Sequence, residues 1–326
     1  MNPFPPRFLF SAALLLLAAP VGAAPLRIAT DIPVTASIAR QVTGDLAQVE
    51  LLLDRAADPH DFQLRPSQVR ALENADLLVW MGPELTGWLD RAAAQRGEEA
   101  QLALLDVAGV ELRALTDDDS PAAEREGVEA HTDDHDNGHD HDHDHDHDHD
   151  HGSQDPHGWL NPENGRLWFA TLADQLARLD PQNGEAYRRN AVAAQARLDA
   201  TETEIRSLLA SQEIGPFVTF HDAYGNFTAA FGLPDAIAIT LGDASAPSAA
   251  RLSEVRDRIA ASGASCAFSE TNQPARMIET VIDGTGLKLG PPLSPAGLDL
   301  PDDAALYNQM LLQLGQHIAA CHDGED

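Results

Sequence analysis

Three histidines stand apart from the histidine-rich stretch of this chain and share a sequence context. His60 lies in DRAADPHDFQL, His157 in DPHGWLNP and His221 in VTFHDAYGNF. Each follows a predicted strand or lies where a loop meets a predicted helix. Because ligands of parallel α/β sheets bind beyond the carboxyl ends of the strands, the three imidazoles can converge in one cleft. Taken singly, each would be interpreted as a solvent-facing loop residue; together they predict a metal site.

Imidazole ligands indicate which metal such a site would hold. They favour zinc, with copper, cobalt or nickel as weaker candidates, whereas manganese would favour more carboxylates. Neutral ligands leave the charge of the ion uncompensated, so nearby acids should fix the orientation of the rings. Asp61, Asp155 and Asp222 are close in sequence to the three histidines, although Asp222 fits a helix cap equally well.

Most of the remaining histidines belong to a run in which imidazole and carboxylate alternate. Residues 117–151 contain 15 acidic residues and one basic residue, Arg125. Such a segment buries too little apolar surface to offset its ordering entropy, so residues 117–155 are expected to be disordered or loosely held. We interpret its histidines as an accessory loop for weak metal binding, the alternative being a solvated insertion with incidental affinity. They are His131, His135, His139, His141, His143, His145, His147, His149 and His151.

Charge and the N-terminus limit the possible partners and location. The net charge of −31 argues against binding nucleic acid or an anionic membrane surface, since both need a basic patch. Arg7, the apolar residues 8–19 and the small residues 21–24 have the layout of a cleavable signal peptide, predicted over residues 1–24. The apolar run is short for a membrane span, so a retained anchor is the weaker alternative. We expect an exported protein.

The chain has two cysteines, Cys266 and Cys321, and in an exported protein their chemical state is informative. In an oxidising compartment they can form a disulfide that ties the C-terminal helix to a strand. Two separate buried thiols are the alternative, and zinc ligation by so distant a pair is less favoured.

Short apolar runs alternate with amphipathic stretches over both halves of the chain. The run at residues 76–80 is continuously apolar, which is typical of a strand buried on both faces of a parallel sheet. A helix is predicted next, over residues 84–95. The repeated βα order predicts an α/β fold with parallel-type sheets flanked by helices.

A long segment without proline separates the two halves. Residues 184–211 have good helix formers and helical apolar spacing, which predicts one helix roughly 40 Å long. We therefore expect an N-terminal lobe over residues 25–182, a rigid connecting helix over 183–212 and a C-terminal lobe over 213–326.

The chain resembles the substrate-binding proteins of metal ABC transporters, in their zinc-specific, ZnuA-type branch. The resemblance covers nearly all of the chain after the signal peptide. It is carried by DPHDFQLRPSQVRALENADLLVWMGPELTGWL, the His/Asp-rich insertion, DPHGWLNPEN, FHDAYGNFTAAFGL, SCAFSETNQP and a final cysteine near the C-terminus.

The resemblance implies a non-enzymatic protein of the periplasm that binds Zn²⁺ between two lobes and delivers it to an ABC transporter permease. It implies that His60, His157 and His221 are the ligands, and that Cys266 and Cys321 form a disulfide. We expect a monomer, and a periplasmic zinc chaperone is a further candidate partner. Many relatives carry a carboxylate where this chain has Ser294. The fourth ligand therefore stays open between water, a loop histidine and an acid such as Glu270, whose other role is that of a structural strand-end carboxylate.

Two other functions fit a three-histidine site. One is a zinc hydrolase, because three histidines and a water also form a catalytic site. The sequence contains no HExxH motif and no obvious general base beside the three histidines. The other is a stand-alone zinc buffer in which the His/Asp-rich segment is the functional part.

Overall fold

The computed structural model describes residues 24–54, 57–115, 154–240, 242 and 246–322. All but the last residue of the predicted signal peptide lies outside this part of the chain. So do the nine histidines of the accessory loop, and both predictions stay predictions.

The N-terminal lobe is built on a sheet of four parallel strands. The strands are β1 (Leu26–Thr30), β2 (Ala47–Leu51), β3 (Leu77–Trp80) and β4 (Gln101–Ala103), in the order β2-β1-β3-β4. Its helices are α1 (Pro33–Thr43), α2 (Pro66–Glu73), α3 (Pro83–Thr86) and α4 (Asp90–Ala93). Every residue of β3 is buried, as its continuous apolar sequence predicted.

The helix predicted over residues 84–95 is interrupted and ends earlier, at Ala93. The chain forms α3 and α4 with a 3₁₀ turn, Gly87–Leu89, between them. Tertiary hydrogen bonds account for the break: the Thr86 hydroxyl donates to Asp31 at 3.0 Å, and the Trp88 indole donates to the carbonyl of Pro59 at 2.9 Å. These contacts outweigh the local helix preference.

The C-terminal lobe repeats the same parallel topology. Its strands are β5 (Phe217–His221), β6 (Ile237–Thr240), β7 (Cys266–Phe268) and β8 (Lys288–Leu289), in the order β6-β5-β7-β8. Its helices are α7 (Gly225–Phe231), α8 (Ala249–Ser262), α9 (Ala275–Ile282) and α10 (Leu306–His322). The predicted fold class, two α/β lobes with parallel sheets, is confirmed.

Two helices between the sheets join the lobes. They are α5 (Pro162–Leu179) and α6 (Gly184–Ala210), and α6 has the 27 uninterrupted residues that its sequence predicted. Helix α6 packs against α5, α1 and α10. The lobe boundaries at residues 182/183 and 212/213 stay predictions. Among the described residues, every helix is too short or too polar to cross a bilayer.

The C-terminal helix α10 returns to the N-terminal lobe. The backbone N–H of Tyr307 donates to the Ser37 hydroxyl at 3.1 Å, and the Gln41 amide donates to Asn308 at 3.1 Å. The Tyr307 hydroxyl also donates to the carbonyl of Trp159 at 2.9 Å. Buried apolar residues from both lobes form one continuous cluster. The lobes are therefore held together by a packed core.

A disulfide between Cys266 and Cys321 joins β7 to α10. Of the states that the sequence left open, the structure has the cross-link, and no described cysteine is free.

We predict that the double variant Cys266→Ala/Cys321→Ala unfolds more easily in urea. The bond closes a loop with a sequence separation of 55 residues. Its removal frees the unfolded chain and should lower the free energy of unfolding by about 2–5 kcal/mol. Reducing the wild-type protein should lower the urea midpoint similarly and leave the double variant unchanged. Equal midpoints for oxidised wild type and the double variant would contradict this prediction.

Candidate metal centre

The fold brings His60, His157 and His221 together from three separate segments. His60 lies in the loop after β2, His221 is the last residue of β5, and His157 precedes the 3₁₀ turn Gly158–Leu160 that leads into α5. Each offers a ring nitrogen, and the three atoms lie within 4.8 Å of one another. The Nε2 atoms of His157 and His221 are 3.4 Å apart. His157 and His221 are buried, whereas His60 is half-buried.

A carboxylate holds the far nitrogen of each buried imidazole. His157 Nδ1 is 2.7 Å from Asp155 Oδ1, and His221 Nδ1 is 2.6 Å from Glu270 Oε1. A carboxylate at Nδ1 places the proton there and leaves the Nε2 lone pair for a metal ion. Both rings therefore present Nε2 to the same point.

The register of the parallel sheet explains why Glu270 faces His221. Thr219 of β5 is paired with Phe268, the last residue of β7. His221 lies two residues after Thr219, and Glu270 lies two residues beyond the end of β7. The Tyr224 hydroxyl also donates to Glu270 Oε1 at 3.1 Å. Glu270 therefore has the structural strand-end role, with its Oε1 oriented by two donors.

The prediction that acids close in sequence orient the three histidine rings is only partly confirmed. Asp155 orients His157 as expected. For His221 that partner is Glu270, so the expectation that Asp222 would orient it is wrong. Asp61 is exposed, and the acid that bonds to the His60 backbone is instead Asp58, whose Oδ1 accepts from the His60 N–H at 2.9 Å.

A small cavity adjoins the three imidazoles. Its volume is about 20 Å³, room for about one water-sized occupant. Ser294, Glu270, Asp58 and Trp159 contribute to its wall. Ser294 is buried, and its Oγ accepts a hydrogen bond from the Thr271 hydroxyl at 3.1 Å. Ser294 thus lies at the cavity, beside the three histidines.

Trp88 supports the loop that carries His60, a role that sequence reasoning missed. Its indole N–H donates to the carbonyl of Pro59, the residue before His60, at 2.9 Å. Its ring also packs edge-to-face on Phe62 with 5.2 Å between centroids. Pro59 and Phe62 lie on either side of His60 in sequence, but nothing local in the sequence connects Trp88 to them.

The comparisons with known proteins agree with this geometry. The family model ZnuA, described as "Zinc-uptake complex component A periplasmic", matches residues 28–321. The chain belongs to the ZnuA family. The high-affinity zinc uptake system protein ZnuA of Paracoccus denitrificans is 46% identical over 319 residues, covering 97% of this chain and 98% of the relative. Its namesake from Brucella abortus is 33% identical, covering 87% and 88% of the two chains.

Solved structures support the fold of this ZnuA family member. A crystal structure of ZnuA superposes with a TM-score of 0.72 at 23% identity, covering 92% of this chain and all of the other. The periplasmic zinc-binding protein TroA of Treponema pallidum gives 0.70 at 20% identity, covering 92% and 99%. Both have the two-lobed architecture with a long connecting helix.

The electrostatics differ between the two buried rings. Burial, together with the neighbouring His221, holds the pKa of His157 well below its usual value. Burial also acts to lower the pKa of His221, but Glu270 outweighs it and the pKa is raised. Burial raises the pKa of the Asp155 carboxyl to about 7. Burial thus favours the neutral form of His157, whereas Glu270 favours the protonated form of His221 in the metal-free protein.

We predict that NMR of the metal-free protein resolves these two protonation states. During a pH titration of the ring ¹⁵N shifts, His157 should stay neutral below pH 6.5, the usual histidine pKa, and His221 should stay protonated above it. In Glu270→Gln the largest influence that raises the pKa of His221 is lost, so this pKa should fall. Two rings that titrate together near 6.5 in both proteins would show that the carboxylate does not control the site.

Proposed function

We propose that this protein captures Zn²⁺ in the periplasm and delivers it to the permease of an ABC importer, with His60, His157 and His221 as ligands. One observation carries the proposal: three imidazole nitrogens lie within 4.8 Å, and both buried rings have Nδ1 bonded to a carboxylate. The zinc-uptake family and the names of the relatives support the cargo and the location. We infer that the mature protein is a monomer without enzymatic activity, with a periplasmic zinc chaperone as a further candidate partner.

Water is the fourth ligand that this geometry favours. Glu270 uses Oε1 to bind both His221 and Tyr224, so this oxygen orients a ligand and does not serve as one. Ser294 offers only a neutral hydroxyl. Three histidines and one water complete the tetrahedron that zinc prefers.

The ion enters and leaves past His60. This ligand is half-buried on a loop, whereas the other two are buried on segments packed into the core. Because the lobes share a continuous core and a long helix, small movements of the His60 loop can open the site without wide closure of the lobes.

The His/Asp-rich segment is proposed as an accessory to this site. Weak binding by its nine histidines would raise the local zinc concentration at the point where the chain re-enters the fold. Gln154, the first described residue after the segment, lies three residues before His157. Tight binding is assigned to the three-histidine cluster and weak capture to the segment.

A hydrolase is the competing function from another class. The two acids that contact the buried ligands, Asp155 and Glu270, are bonded to imidazole Nδ1 atoms and are placed to orient ligands. We expect the zinc-loaded protein to hydrolyse p-nitrophenyl acetate no faster than the protein treated with chelator. A zinc-dependent turnover lost in His60→Ala would favour the enzyme.

We predict that calorimetric titration separates the tight site from the accessory segment. Wild type should show one tight zinc site followed by weaker sites. Deletion of residues 117–152 should remove only the weak sites, because the cluster lies outside that segment. His60→Ala should weaken the tight site by at least about 100-fold, since one of three protein ligands is lost.

His317→Ala is the matched control, because this histidine is bonded to the Pro292 carbonyl at 2.8 Å and lies outside the cluster. It should bind zinc as wild type does. If deletion of the segment abolishes tight binding, the segment is the functional part and the buffer hypothesis replaces the importer.

We predict that Ser294→Asp changes the metal preference. A carboxylate at the cavity wall would add a hard oxygen ligand to three imidazoles, which favours manganese more than Ser294 does. The ratio of zinc to manganese affinity should fall by about 10-fold or more in competition titrations. Ser294→Ala, which adds no ligand, should leave the ratio unchanged. An unchanged ratio in Ser294→Asp would place position 294 outside the coordination sphere.

A further inference from the structure

Asn226 in helix α7 is buried at a point where three segments meet. Its Nδ2 donates to Asp155 Oδ2 at 2.9 Å and to the Asp155 carbonyl at 3.3 Å. Its Oδ1 accepts from the backbone N–H of Arg113 at 3.0 Å. An asparagine amide both donates and accepts, and this contact uses both capacities. Asn226 belongs to the C-terminal lobe, whereas Arg113 and Asp155 follow on from the N-terminal sheet.

Asp155 connects the Asn226 amide to His157, a proposed metal ligand. The other carboxylate oxygen, Oδ1, accepts from His157 Nδ1 at 2.7 Å and from the His157 backbone N–H at 3.0 Å. Asp155 therefore has one oxygen held by Asn226 and the other by His157. Without Asn226, Oδ2 would lose a donor in a buried environment, and the carboxylate would be freer to rotate away from His157.

The same amide joins both ends of the inserted segment to the C-terminal lobe. Ala114 and Gln154 form an antiparallel bridge, and the Asp155 N–H donates to the Arg113 carbonyl at 2.8 Å. Residues 113–114 and 154–155, which lie at the two edges of this gap in the described chain, are therefore neighbours in space. Asn226 bonds to a residue on each side of this junction.

Two further contacts make the junction tight. The Arg113 guanidinium forms an ion pair with Asp235 of the C-terminal lobe at 2.6 Å. A Cβ at Gly225 would lie 3.0 Å from Arg113 Cδ and 3.2 Å from Asp155 Oδ2, so the glycine allows this close approach. The junction is therefore packed against α7, and Asn226 is its buried polar contact with Asp155.

We propose that Asn226 is a positioning residue for zinc binding: it fixes Asp155 from the opposite lobe so that His157 presents Nε2 to the ion. The inference rests on the proposed function. It implies that the contact between the lobes at α7 contributes to zinc affinity, and that the ends of the inserted segment are anchored beside a ligand.

A double-mutant cycle tests whether Asn226 acts through Asp155. Zinc affinity is measured by competition with a chelator for wild type, Asn226→Ala, Asp155→Ala and the double variant. Loss of an outer partner of a metal ligand should weaken binding about 10–100-fold. If Asn226 acts through Asp155, the double variant should bind zinc within about two-fold of Asp155→Ala. If the fold-losses in zinc affinity of the two single variants multiply in the double variant, Asn226 has a general structural role and the proposal is overturned.

Cobalt gives a readout that general destabilisation does not move. At saturating Co²⁺, the visible d–d bands report the ligand geometry, and Asn226→Ala should change their position or intensity. Asn190→Ala is the matched control, because that amide also donates to a backbone carbonyl, Val42 at 2.9 Å, but does so on α6. It should retain the wild-type spectrum and zinc affinity. A wild-type spectrum and affinity in Asn226→Ala would overturn the proposal.

Asn226→Asp keeps the shape of the side chain and serves if Asn226→Ala does not fold. It places an acceptor against Asp155 Oδ2, so the zinc affinity should fall at least 10-fold; wild-type affinity would overturn the proposal. Urea unfolding of each metal-free variant separates folding from binding. Should His60→Ala retain tight zinc binding, the proposed function fails. When His60→Ala loses it but the Asn226 variants bind as wild type does, only this inference fails.

Discussion

Everything at the metal centre depends on two buried hydrogen bonds between an imidazole and a carboxylate. A buried imidazole can rotate and can carry its proton on either nitrogen, and only one arrangement presents a lone pair to an ion. Asp155 and Glu270 select that arrangement for His157 and His221. A buried carboxylate is costly unless its hydrogen bonds are satisfied, so each acid needs further donors. Tyr224 supplies one to Glu270 and Asn226 supplies one to Asp155. The chemistry of the site thus sets requirements on residues well outside it.

The two lobes share one sheet topology but place different kinds of residue after the interior strand. In both sheets the first strand of the lobe, β1 or β5, is an interior strand. After β1 the chain places Asp31, which is fully buried and accepts from the N–H groups of Ile32 and Met81, each at 2.8 Å, and from the hydroxyls of Thr35 and Thr86. All of these partners lie within the lobe, so Asp31 ties β1 to the segment after β3. In the C-terminal lobe the interior strand β5 ends in His221 of the metal centre. The interior strand of one lobe is therefore followed by a structural carboxylate and that of the other ends in a histidine of the cluster, while His60 and His157 come from the loop after β2 and the segment before α5.

Local patterns in the sequence predicted much of this structure, and long-range pairing accounts for the parts they missed. Apolar runs and helical spacing located the strands and α6, because those signals are contained within each segment. The three histidines were found because each lies at a strand end or a loop–helix junction. The pairing of His221 with Glu270 depends on the register between β5 and β7, which no local pattern contains. Asp222 was the wrong choice because successive side chains at a strand end point to opposite faces. Asn226 and Trp88 act on ligands that are distant in sequence, so their residue types alone carried no signal.

The unequal burial of the three ligands fits a protein that must release its cargo as well as hold it. His157 and His221 are fixed by buried hydrogen bonds and by a core that spans both lobes. His60 is half-buried on a loop whose described supports include Trp88 and Phe62. Segments with fewer buried contacts open at a lower free-energy cost than core strands. If His60 binds the ion as proposed, its loss from the coordination sphere is therefore the least costly first step of release. Because the remaining two ligands stay oriented by their carboxylates, the site is ready to bind again as soon as the loop returns.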